Sequence, residues 1–197
     1  MNVQKQAHPD HPIGELIAGR WSPYGFADHP VSSGDLRSLF EAARWAPSSY
    51  NEQPWRYIVA TKENAAEFEK VLSCLVAGNQ GWAKTVPVLA LGCIGTNFAM
   101  NGKSNAAAEH DLGLASASLS LEATARGLSV HQMIGILPDK AKEVFHIPEG
   151  FRALTALAIG YAVDLTVAPE PDRKARTRKP QAEFVFGGDW GAAFETS

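Results

Sequence analysis

The alternation of apolar and polar positions along the chain predicts helices and strands that follow one another. Apolar residues recur at helical spacing in five segments, which predicts helices at residues 12–19, 32–46, 63–75, 105–127 and 138–145. Further apolar segments predict strands at residues 56–61, 86–93, 129–136 and 153–163. The run 86–93 is apolar without interruption, as expected of a strand covered on both faces. Strands separated by helices are typical of an α/β or α+β fold, and the pattern leaves the strand order open.

The predicted helix at residues 105–127 is apolar around most of its circumference. Many of its positions carry small residues, which are Ala106, Ala107, Ala108, Gly113, Ala115, Ser116, Ala117 and Ser118. A helix of this kind is buried on more than one side, and its small residues let another backbone approach closely. Two compatible interpretations are open: a central helix of the core, or a helix at a subunit interface.

The character of the chain changes after Asp164. Residues 169–180 contain three prolines and five basic residues, and three aromatic residues follow at Phe184, Phe186 and Trp190. This pattern predicts an extended tail that lies across a protein surface, such as that of a second subunit. The glycines and asparagines of residues 94–104 predict a loop, which is a candidate for mobility.

Length and charge narrow the possible classes of protein. A chain of 197 residues fits one domain, or one protomer of an intertwined dimer. A formal charge of −3 argues against a nucleic-acid binder, and no run approaches the roughly 18 apolar residues that span a membrane. Residues 1–10 lack the apolar core of a signal peptide, and Cys74 and Cys93 have no disulfide-framework or zinc-site spacing. We therefore expect a cytoplasmic protein with no membrane or nucleic-acid partner.

Several common catalytic and cofactor motifs are absent from the sequence, namely GxGxxG, GxxxxGK[ST], HExxH and GxSxG. The six histidines are scattered, and no pair has the spacing of metal ligands. The sequence therefore predicts no metal site, and it identifies no residue as a catalytic acid, base or nucleophile.

The most informative polar stretch lies between two prolines, and a tryptophan flanks it on each side. Its hydroxyl and amide residues are Ser48, Ser49, Asn51 and Gln53. One interpretation is an ordinary turn with serines at a helix N-cap. The other is a rigid loop that faces a planar, neutral ligand rich in hydrogen-bonding atoms, such as a flavin ring.

Three other segments could join this loop in one site. Arg20 and the basic run 176–180 suit a phosphate, because a guanidinium binds oxyanions in a bidentate manner. A solvated charged tail is the alternative for the basic run. Gly135, at the end of a predicted strand, allows a ligand to approach the backbone closely.

Together these segments resemble the nitroreductase superfamily of FMN-dependent oxidoreductases. The matching pieces run in family order from about residue 12 to 181, which is most of the chain. They are Arg20-x-Ser22-x-x-x-Phe26, Ala43-x-x-Ala46-Pro47-Ser48-x-x-Asn51-x-Gln53-Pro54-Trp55, Asp111-Leu112-Gly113, Ile134-Gly135 and Arg176-x-Arg178-x-Pro180. The stretch from Pro47 to Trp55 is specific, whereas the arginine motifs are weak singly and strong together.

The resemblance implies an α+β fold in which a central mixed β-sheet is flanked by helices. It also implies an intertwined homodimer with a swapped C-terminal tail, and FMN in two equivalent sites at the dimer interface. The chain would form a single nitroreductase-like FMN-binding domain over residues 1–197, with about 164–197 as the extended tail.

The cofactor contacts implied by the resemblance fall into three groups. The phosphate group is Arg20, Arg176 and Arg178, with Ser22 on the ribityl side. The wall donated by the other subunit is Pro47, Ser48, Ser49, Asn51 and Gln53, the last mainly ordering the loop. The third group is the main-chain stretch Gln132, Met133, Ile134 and Gly135, in which main-chain groups of Ile134 and Gly135 would face the ring near N5 and O4.

Trp21 and Tyr24 complete the predicted set of cofactor contacts. Both stand where members of the family often carry a basic residue. Their presence leaves open how the reduced, anionic flavin is stabilised, and whether NADH or NADPH is the preferred co-substrate.

The implied activity is two-electron transfer from NAD(P)H through flavin N5 to a small organic acceptor by a ping-pong mechanism. The acceptor would be a nitroaromatic, a quinone or an enal-like compound, and the protein would supply binding, orientation and electrostatics. Trp82 either flanks the acceptor or belongs to the core. The alternatives are a non-catalytic flavin carrier or sensor, and a specialised family chemistry such as reductive dehalogenation, azoline oxidation or flavin destruction.

Overall fold

The computed structural model describes residues 5–194 of the chain. The helices are α1 (Glu15–Gly19), α2 (Ser33–Arg44), α3 (Ala65–Ser73), α4 (Ala77–Ala83), α5 (Ala108–Ala125), α6 (Pro138–Val144) and α7 (Glu170–Arg173). The strands are β1 (Trp55–Thr61), β2 (Val88–Gly95), β3 (Ser129–Met133) and β4 (Phe151–Gly160). Two single 3₁₀ turns lie at Ser49–Asn51 and Gln181–Glu183. The α+β class predicted from the sequence is confirmed.

The four strands form one sheet in the order β1-β2-β4-β3. All three neighbouring pairs are antiparallel, with Trp55 opposite Ile94, Val88 opposite Ile159, and Ser129 opposite Gly160. The expected mixed sheet is therefore not found among the described strands. The reason is topological: β1–β2 and β3–β4 are consecutive strands whose helical connections reverse the chain, and β2 also runs against β4.

Both faces of the sheet are covered by helices. On one face, α3, α4 and α6 pack through residues such as Phe68, Ala83 and Ala141. On the other face, α2 and α5 pack through residues such as Leu39 and Leu119. Both alternating side-chain sets of β2 are consequently buried along its whole length, as its unbroken apolar pattern predicted.

The long helix α5 is a central element of the core. One side of it is buried against the sheet and α2, and this side includes Leu112, Ala115 and Leu119. On the other side Gly113 and Ala117 are exposed. The core interpretation of this helix is thus confirmed, while its role at a subunit interface stays a prediction.

Most elements lie within a few residues of their predicted bounds, as is usual for helix and strand ends. Two helices were missed. The first, α4, contains two glycines and an asparagine, Gly78, Asn79 and Gly81, which are poor helix formers. The second, α7, is a single turn whose Glu170-Pro171 start fits a helix N-terminus. The predicted strand 129–136 ends early, at Met133.

The first half of the C-terminal tail packs against the rest of the protein, whereas its second half is exposed. Ala168 and Asp172 are buried. Further on, Phe184 and Trp190 are 60% and 94% exposed, although Trp190 lies 5.1 Å from Phe186 between ring centroids. Docking of this aromatic part onto a second subunit therefore stays a prediction. Across residues 5–194, none of the helices combines the length and apolar character needed to span a bilayer.

Candidate functional site

A basic cavity lies between the end of α1 and the C-terminal tail. Its volume is about 240 Å³, and Arg20, Arg176 and Arg178 line it. Trp21, Ser22 and Tyr24 line the same cavity. Six of the predicted cofactor residues thus lie together in one cavity, although they come from two segments, 20–24 and 176–178, that are more than 140 positions apart in sequence.

Two of the arginines are held in place by hydrogen bonds, Arg176 by distant carbonyls and Arg20 by a nearby hydroxyl. Nη1 of Arg176 donates to the carbonyls of Lys5 and Ala18, at 2.7 and 2.6 Å. Ala18 belongs to the last turn of α1, where a basic side chain satisfies carbonyls that the helix leaves free. Nη1 of Arg20, the residue that ends α1, donates to Oγ of Ser22 at 3.2 Å.

The cations of this cavity repel one another. Burial lowers the pKa of Arg20 from its ordinary value, and the nearby charge of Arg178 lowers it further. The pKa of Arg176 is lowered in the same way, by burial and then by Arg20 and Arg178. None of the three forms an ion pair with an aspartate or glutamate among the described residues. A bound anion would relieve this repulsion, so the donors suit a phosphate.

A buried carboxylate joins the tail to the segment that follows α1. Asp172 is 1% exposed. Its carboxylate accepts hydrogen bonds from the backbone N–H of Tyr24 at 2.9 and 3.0 Å, and from that of Gly25 at 2.8 Å. The negative charge is therefore met by peptide dipoles rather than by the arginines. The sequence did not indicate this role, because an aspartate within a charged tail resembles any solvated residue.

The segment after α1 packs too closely for a side chain at Gly25. A Cβ there would lie 2.6 Å from Cδ of Pro169 and 2.7 Å from Cγ2 of Val163. The carbonyl of Gly25 accepts a hydrogen bond from the N–H of Val163. The position of Tyr24 is consequently fixed by the tail and by the chain beyond β4.

Tyr24 belongs to a group of three aromatic rings. Its ring centroid lies 5.1 Å from that of Trp82 and 4.7 Å from that of His131, both in edge-to-face arrangements. Nδ1 of His131 lies 2.8 Å from the carbonyl of Pro23, and since a carbonyl only accepts, this nitrogen carries the proton. Burial is the main cause that lowers the pKa of His131, so the ring is neutral near pH 7.

The predicted main-chain contact, residues 132–135, spans the end of β3 and the two residues after it. The side chains of its first two residues are engaged within the protein: Met133 is buried in the core, and Nε2 of Gln132 donates to the carbonyl of Ser116 at 3.2 Å. The carbonyl of Gly135 accepts from Nδ2 of Asn79 at 3.0 Å. Within residues 5–194, the N–H of Gly135 has no acceptor and Ile134 is exposed, so this amide is available to a ligand.

The polar loop after α2 has an unusual backbone. Tyr50, Asn51 and Gln53 have positive φ angles of 52°, 54° and 49°. Such angles cost roughly 1–2 kcal/mol for residues other than glycine and cluster at functional sites. The loop also holds Tyr50 81% exposed to solvent. The loop contains a 3₁₀ turn with Ser48 at its N-cap position, but the Ser48 side chain makes no capping bond to it, so both interpretations of this loop stay open.

Hydrogen bonds hold the loop in this shape. The N–H of Gln53 donates to Oγ of Ser48 at 3.0 Å, and the N–H of Ser49 donates to Oδ2 of Asp111 at 3.0 Å. Asp111 lies in the first turn of α5 and is 1% exposed. Glu52 accepts from the N–H of Ala99, which ties the loop to residues 94–104. Pro47 is exposed beside this network.

The basic cavity and the polar loop belong to different parts of the chain. The loop packs on the N-terminal turn of α5, whereas the cavity lies at the end of α1 beside the tail. Within residues 5–194, no hydrogen bond, ion pair or ring contact joins Pro47, Ser48, Ser49, Asn51 or Gln53 to the cavity residues.

Comparison with known proteins identifies the family to which this chain belongs. The model of the Nitroreductase family matches residues 17–161. The chain belongs to this family. A crystal structure described as an oxidoreductase containing FMN has a TM-score of 0.87 and 31% identity, over 98% of this chain and all of that one.

Other members of the nitroreductase family are similar over different lengths. A putative NADH dehydrogenase/NAD(P)H nitroreductase of Polynucleobacter asymbioticus is 29% identical, over 82% of this chain and 90% of that protein. A putative NADH dehydrogenase/NAD(P)H nitroreductase of Streptomyces coelicolor is 38% identical, over 42% of this chain and 40% of that protein. The chain spans between 22% and 57% of three of the curated relatives that it matches.

Proposed function

We propose that this protein is an FMN-dependent oxidoreductase that passes two electrons from NAD(P)H to a small organic acceptor. The observation that carries the proposal is the basic cavity, in which Arg20, Arg176 and Arg178 converge without a described carboxylate partner. The similar crystal structure described as containing FMN, and relatives named NAD(P)H nitroreductases, support the choice of cofactor and co-substrate.

The residues present fit the cofactor at its phosphate end. A phosphate needs several strong donors of positive charge, and the three guanidinium groups supply them. Ser22 adds a hydroxyl beside Arg20 for the ribityl side. The N–H of Gly135 would donate to the polar edge of the ring, and the close packing of Asn79 and Val76 against this glycine holds its backbone in place.

The polar loop would supply the second wall of the site from the partner subunit. We propose a homodimer in which Pro47, Ser48, Ser49, Asn51 and Gln53 of each copy face the cofactor bound by the other. The separation of loop and cavity in one chain supports this arrangement, as does the exposed small-residue side of α5. The exposed aromatic part of the tail would then cover the partner.

When bound, FMN would supply the two-electron chemistry, with NAD(P)H and the acceptor using the same ring face in turn by a ping-pong mechanism. The protein would hold the phosphate, orient the ring and exclude water. Tyr24, Trp82 and His131 form an aromatic surface beside the cavity, and a planar acceptor such as a nitroaromatic, a quinone or an enal could pack against it. This use of Trp82 is testable, since Trp82→Ala should then change the constants for some acceptors.

Residues 94–104 favour a general reductase over a more specialised chemistry. The N–H of Phe98 donates to the carbonyl of Lys103, and Asn97 and Ser104 form a β-bridge. This short segment is folded back on itself, which leaves little chain for a large lid over the site. A cytoplasmic location, as the sequence leads us to expect, completes the proposal.

The visible spectrum of the purified protein, followed by anaerobic addition of NADH and of NADPH, tests the proposal directly. Flavin absorption that bleaches on addition of either nucleotide is the expected result. Flavin that binds but does not bleach would favour the carrier or sensor. Protein that takes up no FMN would contradict both functions.

A further inference from the structure

Residues 5–7 run beside the basic cavity and are attached to it at three points. The N–H of Ala7 donates to the carbonyl of Ala18 at 2.9 Å. The carbonyl of Lys5 accepts from Nη1 of Arg176, and Nζ of Lys5 donates to the carbonyl of Asp172. These contacts place Lys5, which is half-buried, in the wall of the cavity. The family match begins only at residue 17, so Lys5 lies outside it.

The ammonium group of Lys5 lies over the indole of Trp21. Its Nζ is 5.5 Å from the ring centroid of Trp21, which is 6% exposed. A cation at this distance from an indole is attracted by the ring. The indole at position 21 thus supports a positive charge that comes from a distant part of the chain.

The donors of this ammonium group are only partly used. An ammonium carries three N–H donors, and the carbonyl of Asp172 accepts one of them. Lys5 forms no ion pair with an aspartate or glutamate of residues 5–194. By contrast, Lys174, which lines the same cavity, is paired with Glu170 at 2.9 Å.

We propose that Lys5 is a phosphate-binding residue of the cofactor site, and that it supplies in space the positive charge that Trp21 does not carry. It works together with Arg20, Arg176 and Arg178, whose side chains line the same cavity. This inference rests on the proposed function, because the anion in question is the FMN phosphate. Trp21 serves as the apolar support that holds the lysine stem over the cavity.

The test compares the affinities of FMN and riboflavin, which differ by the phosphate, through quenching of flavin fluorescence. In Lys5→Met the long apolar stem stays over Trp21 while the charge is lost. One charge-assisted hydrogen bond is lost with it, so FMN should bind roughly ten- to a hundredfold more weakly, and riboflavin should bind as in the wild type. Lys5→Arg should restore most of the FMN affinity.

Lys140→Gln provides a matched control, since it removes one exposed positive charge from α6, away from the cavity. It should leave both affinities unchanged. Equal FMN affinity in Lys5→Met and the wild type would overturn the assignment of Lys5 alone. Equal weakening of FMN and riboflavin would also overturn it, since the residue would then only support the fold. A wild-type protein that binds neither flavin would instead contradict the proposed function.

Discussion

The basic cavity and the polar loop both hold irregular backbone in a fixed shape, but they draw on different parts of the chain to do so. Each is a piece of irregular backbone anchored by a buried aspartate that accepts peptide N–H groups, Asp172 in the cavity and Asp111 at the loop. The cavity is assembled from three segments that are distant in sequence. The loop is a run of consecutive residues, closed by the bond from Gln53 to Ser48 and tied to Asp111 and Ala99 by one bond each. The cavity should therefore depend on long-range contacts alone, and the loop on its own backbone geometry as well as on such contacts.

The largest effect is expected for Asp172→Ala. This change leaves the N–H groups of Tyr24 and Gly25 without their acceptor and releases the tail from the segment after α1. Unpaired buried donors cost about 1–3 kcal/mol each, so unfolding in urea should show a loss of several kcal/mol. FMN affinity should fall by about a hundredfold or more, measured by fluorescence quenching.

Glu170→Gln is the control for that change, because it alters an exposed carboxylate on the same short helix. It should change stability by less than about 0.5 kcal/mol. A cavity that tolerates Asp172→Ala as well as Glu170→Gln would show that the tail is held by other contacts.

Asp111→Ala should lower stability less than Asp172→Ala does, and it should change the affinities of FMN and riboflavin in a different ratio. The loop loses one hydrogen bond from Ser49 to a charged acceptor, which is worth about 1.5–3 kcal/mol. Because the loop is proposed to face the ring, FMN and riboflavin should weaken by similar factors. The ratio of the two affinities therefore separates the two regions, since Asp172→Ala should weaken FMN more than riboflavin. Equal ratios in both variants would contradict the division into a phosphate end and a ring end.

A pH dependence is expected for the cavity side. Burial lowers the pKa of His131 in the folded protein, so near pH 6 the unfolded chain binds more protons than the folded one. Stability should thus fall as the pH drops below about 6.5, by at most roughly 1.4 kcal/mol per pH unit for one group. Urea unfolding at pH 7.5 and 5.5 should show a smaller loss in His131→Gln than in the wild type. Identical losses would mean that His131 is not the group responsible.

The smallest effect is expected in the loop, for Gln53→Gly. Glycine adopts the φ of 49° without steric cost but loses more conformational entropy on folding. The two terms nearly cancel, so stability should stay equal or rise by up to about 1 kcal/mol. Gln53→Ala keeps the steric cost and should not share this gain, which urea unfolding of the two variants would reveal. A clear loss in Gln53→Gly would show that the side-chain bond to the carbonyl of Asn51 matters more than the backbone.

Local features of the fold were predictable because their causes are local. The helix predicted at residues 32–46 is α2, and Ser32 caps it by accepting from the N–H of Asp35 at 3.0 Å. The strand β2 was recognisable from its unbroken apolar run, because both its faces are covered. The antiparallel pairing of β2 with β4 was not predictable, since burial on both faces is the same in either direction.

The candidate site was predictable where the family motifs name its residues, and not where distant segments meet. Asp172 binds the segment at Tyr24 across 148 positions, and Lys5 reaches Asp172 across 167. No periodicity or spacing in the sequence indicates such contacts. The left-handed residues of the loop were also missed, because Tyr50 and Gln53 are not residue types that usually adopt positive φ.

The double attachment of Arg176 has a consequence for how the cavity could change over evolution. Its guanidinium donates to the carbonyls of Lys5 and Ala18, so it holds the N-terminal segment and the end of α1 together in addition to carrying a charge. Both bonds come from Nη1, and a lysine there would preserve the charge but place its ammonium one bond nearer the backbone, short of the position from which Nη1 reaches both carbonyls. Among the partners within residues 5–194, Nη1 of Arg178 binds only the neighbouring carbonyl of Thr177. Homologues that keep residues 5–18 in this arrangement should thus retain arginine at 176, while position 178 drifts freely between arginine and lysine.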